Sequence, residues 1–308
     1  MYGCWYFILH YFSTSLSFSW FGTIIEKLNQ DITFIEFILM WKVSNLFFYP
    51  IIFSFFLYLV GAIKLISISS IIRKSLMKRI SFGIIGYLFL FLVIVGPIGN
   101  NETTFWIHMT QHLIIIMICA PCLLSGFIIP FILSSLPETI KLGFADILNP
   151  KNTFRYIINF LTTPKLGLIF YVICIWTWHL PIFFNLALTS NVVHNFEHLT
   201  MFLAGILFWW PILGITFGSK KISIPLRIVY LLLAVTPTAV VAAFITLSDS
   251  LLYGEDIRRL FNISAMDDQQ LGGLIMWIPG NLIFLTTLTV LFFKWSYPQT
   301  KKNRKYNI

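Results

Sequence analysis

Seven apolar runs, at 46–66, 80–98, 107–133, 165–182, 198–217, 224–247 and 271–293, limit this chain to very few folds. Each is close to the ~20 residues that carry an α-helix, at 1.5 Å per residue, across a hydrocarbon core of ~30 Å. Lipid offers no water to unpaired backbone groups, so such runs cross it as helices with every amide bonded internally. The sequence therefore predicts an all-α fold: a polytopic membrane helix bundle of about seven transmembrane helices. Charged residues make up 11% of the chain, where a soluble domain carries about 25%. That is too few to coat a water-facing surface, and no long polar stretch is left to form a separate soluble domain. The expected division is a seven-helix membrane domain over 41–296, a basic tail over 297–308 and an N-terminal segment over 1–40. That last segment reads as interfacial, as a degenerate signal or as an extra span. Its first 25 residues hold no Lys or Arg, whereas a secretory signal opens on a basic stretch.

Charge orients the bundle. Lys64, Arg73, Lys74, Lys78 and Arg79 lie around the first loop, and Lys141, Lys151, Arg155 and Lys165 lie between the third and fourth runs. Lys220, Lys221 and Arg227 fall between the fifth and sixth, and Lys294, Lys301, Lys302, Arg304 and Lys305 follow the last. Seventeen of the 21 basic residues thus share one side, and ten of the 12 acids share the other. Positive charge marks the cytoplasmic side, which places the N-terminus of the bundle outside and the C-terminus in the cytoplasm. The net charge of +9 is accounted for by these topology signals and gives no reason to expect a nucleic-acid partner; the lipid bilayer is the partner it implies. Cys4, Cys119, Cys122 and Cys174 lie in or beside apolar segments and do not form a secreted disulfide framework.

With that orientation, five of the six histidines gather at the outer ends of the helices. His108 and His112 open the third run, His179 closes the fourth, and His194 and His198 lead into the fifth; His10 lies in the N-terminal segment. His108/His112 and His194/His198 are i, i+4 pairs, which share a helix face with Cβ atoms about 5–6 Å apart. Two imidazoles so placed can chelate one ion, and imidazole suits copper, zinc, iron and nickel. A lone interfacial histidine is ordinarily just a polar residue near headgroups, but five at one depth point to a shared metal or cofactor site.

Acids share that side. Glu197 stands within the second histidine pair, Asp249 ends the sixth run, and Asp267 and Asp268 precede the seventh. They are candidates to orient imidazole N–H groups, although acids near a helix N-terminus are also stabilised by its dipole alone. Cys119 and Cys122 form a CxxC roughly 10 Å deeper than His112. They are candidate soft ligands, with ordinary packing the plainer reading. Met109 sits beside the proposed site, while Met117, Met201 and Met276 read as core packing.

The strings HMTQHLIIIMICAPCLLSG, WHLPIFFNLAL, HNFEHLTMFLAGILFWWPI and DQQLGGLIMWIPG resemble, in order, those of the multi-span CtaG family of cytochrome c oxidase assembly factors, associated with caa-type oxidases. The resemblance runs from about residue 40 to 295. It implies a non-enzymatic assembly factor for haem-copper oxidase in the bacterial cytoplasmic (inner) membrane, with copper as the ion and nascent oxidase subunits as partners. The family positions fall here on His108, His112, His179, His194, Glu197, His198 and the run Asp267–Gln270. Residues 1–40 and the cysteines of the CxxC depart from the family's pattern. Three alternatives stay open from the residues themselves. His194–His198 fits the HxxEH spacing of a zinc peptidase, histidines from two helices could ligate haem as in a membrane b-type cytochrome, and a copper transporter would need polar ligands along the whole path.

Overall fold

Every regular element among the described residues is helical. The computed structural model describes residues 41, 46–68, 73–100, 104–149, 151–215, 221–253 and 263–306. The N-terminal segment, with His10 and Cys4, lies outside them. The helices of eight or more residues are α1 (Phe48–Ile68), α2 (Arg73–Ile94), α3 (Phe105–Ser125), α4 (Ile128–Ser135), α5 (Glu138–Ile147) and α6 (Thr153–Leu161). They continue with α7 (Pro164–Trp178), α8 (Pro181–Thr189), α9 (Asn191–Leu213), α10 (Ile224–Leu247) and α11 (Ala265–Tyr306). Six of these, α1, α2, α3, α9, α10 and α11, are long and apolar enough to cross a membrane. A seventh crossing exists if α6 and α7, bent by 60° at their junction, act as one span. The 15 residues of α7 rise only about 22 Å, so it does not span the core alone. Pro164 causes the break, since it lacks the N–H that would continue α6 and suits the first turn of a new helix.

Several helix ends differ from the apolar runs. The run expected over 107–133 is two helices. At their junction Phe127 adopts a left-handed conformation, φ 54°, and α4 packs along α1. Neither Pro121 nor Pro130 makes this break: Pro121 lies within α3 directly after its π-helical turn, and Pro130 sits in the first turn of α4. The cause is contact with α2: a Cβ on Gly126 would stand 2.6 Å from the backbone nitrogen of Gly83, and the Tyr58 hydroxyl donates to the Gly126 carbonyl at 3.2 Å. The fourth run stops at Trp178, because Pro181 holds Leu180 extended (φ −72°, ψ 132°). The fifth begins at Asn191 rather than 198. Its polar first turns escape a hydropathy criterion, yet His194, Glu197 and His198 there are buried against neighbouring helices.

Two cores hold the bundle. Tyr58, Tyr87, Leu123 and Phe131 close α1, α2 and α4 around the inner half of α3. A larger core, including Tyr171, Met201, Phe208, Trp209 and Phe284, joins α3 to α7, α9, α10 and α11. α3 passes between them. At Ile115–Cys119 it opens into one π-helical turn, and the Trp209 indole of α9 donates to the Ile116 carbonyl at 2.9 Å. Gly205 of α9 faces this turn, where a Cβ would lie 3.0 Å from that of Ala120. The two helices therefore cross closely just below the histidines.

Candidate metal centre

The first turn of α3 has no side-chain cap of its own; Thr104 at its N-cap makes none. Its free amides are met from α11 instead. The Asp268 carboxylate accepts Phe105 N–H and Trp106 N–H, each at 2.9 Å, which places a negative charge at the positive end of the helix dipole. One turn further on, the buried Gln111 amide donates to the Val93 carbonyl of α2 at 2.6 Å. These two contacts fix the rotation of α3 and turn His108 and His112 inward.

α9 presents His194, Glu197 and His198 on one face, as their i, i+3, i+4 spacing requires. α7 delivers His179 as its C-cap residue, and the Trp178 indole ties that end to Thr200 of α9 at 2.9 Å. The five imidazoles converge. Ring centroids are 4.4 Å apart for His108–His112, 4.1 Å for His194–His198, 5.5 Å for His112–His198, 5.3 Å for His108–His194 and 6.2 Å for His112–His179. All five residues are buried, and so is Glu197 at 0% exposure.

His108, His112, Glu197 and His198 form the tightest group, with one donor atom from each lying within 4.8 Å of all the others. Metal–nitrogen bonds of ~2.0–2.1 Å put ligands on opposite sides of an ion ~4 Å apart, so an ion fits with only slight closure. His108 Nε2 and His112 Nε2 are 2.9 Å apart. The Glu197 oxygens lie 3.5 Å from each of those nitrogens and accept no hydrogen bond. A carboxylate taken out of water in this way demands a compensating positive charge, which a proton on an imidazole or a bound cation supplies. His179 Nδ1 contacts the Ile175 carbonyl at 2.6 Å. A carbonyl only accepts, so Nδ1 carries the proton and Nε2 keeps its lone pair. That Nε2 is buried without a hydrogen bond, as is His198 Nε2.

The remaining candidates take other places. Asp268 holds backbone amides rather than standing as an imidazole orienter. Asp267 accepts from its own N-cap, Ser264 Oγ, at 2.6 Å, and Asp249 is exposed beyond the end of α10. Cys119 is buried in the π turn and Cys122 half-buried after it; both are free thiols, and neither joins the four-residue group. Met109 lies buried against the His112 side of the cluster. Gln111 and Tyr253 escaped the sequence reading. A buried amide inside H-x-x-Q-H was a usable signal for the first. Tyr253 had none: it lies in a loop, stacks on Phe105 at 4.4 Å and donates to the His179 carbonyl at 2.7 Å.

Geometry also weighs the alternatives. Glu197 stands 3.5 Å from His108 Nε2 and from His112 Nε2 of a different helix. The cavity beside the rings is about 30 Å³, against the roughly 300–1,000 Å³ of small-molecule and cofactor pockets.

Fold and cluster together define a polytopic helical membrane protein with a buried imidazole–carboxylate centre at one end of the bundle. Residues 56–297 match the family described as cytochrome c oxidase caa3 assembly factor, and the chain belongs to that family. It is also similar to uncharacterized proteins of Mycobacterium bovis and Mycobacterium tuberculosis, each 25% identical over 65% of this chain and 31% of the relative. A Mycobacterium leprae protein is 22% identical over 64% of this chain and 30% of its own length. The chain thus spans about a third of the length of these curated relatives. No solved structure matches it.

Proposed function

We propose that the histidine end of the bundle faces the outside of the bacterial cytoplasmic membrane, binds a copper ion there and hands it to a haem-copper oxidase subunit during assembly. The chain acts as a carrier and not as an enzyme. Family membership supports the assembly role, and the cation distribution supports the orientation. The observation that carries the metal reading is Glu197, a fully buried carboxylate set between imidazoles whose nitrogens converge on one point. The donor set is nitrogen and oxygen from two helices, α3 and α9, with His179 of α7 beside them. Each helix is held by its own second contacts, so a ligand can leave without unfolding the site, as transfer requires.

Copper content tests this. The purified full-length protein, loaded with copper and desalted, should retain metal that is lost in His108→Ala/His112→Ala. Membranes of a host carrying that variant should hold less active oxidase. Equal copper retention in the variant would overturn the metal reading, and unchanged oxidase assembly would overturn the role.

A further inference from the structure

Below the cluster, toward the middle of the bundle, a cavity of about 30 Å³ opens between α3, α7, α10 and α11. It exceeds the ~10–15 Å³ that holds one water, and its lining is unusual. Three of the chain's eight methionines meet there, Met109 and Met117 from α3 and Met276 from α11. His112 and His179 form its upper wall. Both are more than nine-tenths buried, and His112 Nδ1 and His179 Nε2 have no hydrogen-bond partner. The hydroxyls at the far side are paired: Thr238 donates to the Ala234 carbonyl at 2.8 Å and accepts from the Tyr171 hydroxyl at 3.3 Å. Met109 and Met117 are eight residues apart, and the intervening π turn re-aims the helix at Ile115–Cys119; both line the same cavity.

Thioether sulfur is a soft donor that selects monovalent copper over harder divalent ions, whereas the nitrogen–oxygen set above suits divalent ones. We propose that this cavity is a second station for the cargo, in which Met109, Met117 and Met276 take a soft monovalent ion, Cu(I) or its analogue Ag(I), with His112 shared between the two stations. The proposal deepens the carrier reading. His112 belongs both to the four-residue group and to the cavity wall, so Cu(I), which imidazole also ligates, passes between the donor sets by exchange around one imidazole with no change of oxidation state. The apolar surroundings keep water from competing for it.

The test uses the full-length protein in detergent, with Zn(II) as probe of the upper cluster and Ag(I) as a redox-inert probe of the cavity. Met117→Leu/Met276→Leu nearly conserves volume and shape. It should bind one equivalent less Ag(I) than the unmodified protein while Zn(II) uptake stays the same. The thiols are identical in both proteins, so the difference isolates the thioethers. Independently of any variant, X-ray absorption of the unmodified protein loaded anaerobically with Cu(I) should show sulfur neighbours, and these should diminish in the Leu variant. Equal Ag(I) uptake in the two proteins, or Cu(I) with nitrogen and oxygen neighbours alone, overturns the second station. The upper cluster stands or falls separately, on whether Zn(II) uptake is lost in His108→Ala.

Discussion

At the scale of single residues, Glu197 is the position where stability and function pull apart. Its carboxylate is buried with no hydrogen bond and only imidazole nitrogens, at 3.5 Å, for company. Removing that charge relieves a desolvation cost and removes the group that balances a cation. Glu197→Gln should melt at the same temperature as the parent protein or higher when no metal is present, and bind Zn(II) or copper roughly 10–100-fold more weakly. Thermal unfolding and a competition titration check the two halves. A variant that unfolds early and still binds metal fully would assign Glu197 a purely structural role. The histidine pairs themselves were legible in the sequence, because i, i+4 spacing fixes which side chains share a face. The role of Asp268 was not. Its position before an apolar run suggested an imidazole partner, yet its carboxylate reaches across to the first amides of another helix, a contact that depends on tertiary placement alone.

At the scale of elements, the start of α3 depends on that borrowed cap. Asp268→Ala strips a charged acceptor from one buried and one partly buried amide, and charge-assisted bonds of this kind are worth about 1.5–3 kcal/mol each before relaxation. The variant should lose thermal stability, and because α3 carries His108 and His112, metal affinity should fall with it. Asp268→Asn, which keeps one acceptor, should recover part of both. The turn into α4 makes a second case. Gly126→Ala pushes a methyl group toward the Gly83 backbone, and overpacking of this kind typically costs about 1–3 kcal/mol. The melting temperature of the purified protein would show it, and an unchanged value would mean that α2 and the α3–α4 junction part more easily than their contact suggests. The apolar runs located the long helices because a bilayer demands unbroken apolar length. They missed this turn, since close approach of α2, not local chemistry, ends the helix. They also missed the first turns of α9, where polar residues are buried against partners that hydropathy does not register.

At the scale of the whole molecule, a cation bound at one end should act as a clamp on α3 and α9. A ligand that binds only the folded state adds about 2.7 kcal/mol at a hundredfold excess over its dissociation constant. The melting temperature should therefore rise with added Zn(II) in the parent protein and stay flat in His108→Ala/His112→Ala. Orientation is tested by reporters fused after Tyr306 and within 248–252; activity of a cytoplasmic reporter at the first position and of an external one at the second is the expected pattern. That the imidazoles would gather at one level followed from counting charges and spans, but their convergence on a point required the azimuth of each helix, which no residue count supplies. The π turn of α3 carries one residue more than a regular helix would need for the same rise. Delete one residue from 115–119 and the ladder closes into an ordinary helix. Everything above would then swing by about 100° against everything below: with the lower half held by its neighbours, His108 and His112 would face away from α9, and with the upper half held, Met117 would leave its place beside Met276. A single codon thus sets the gearing between the two ends of this protein, although both would keep every side chain they have now.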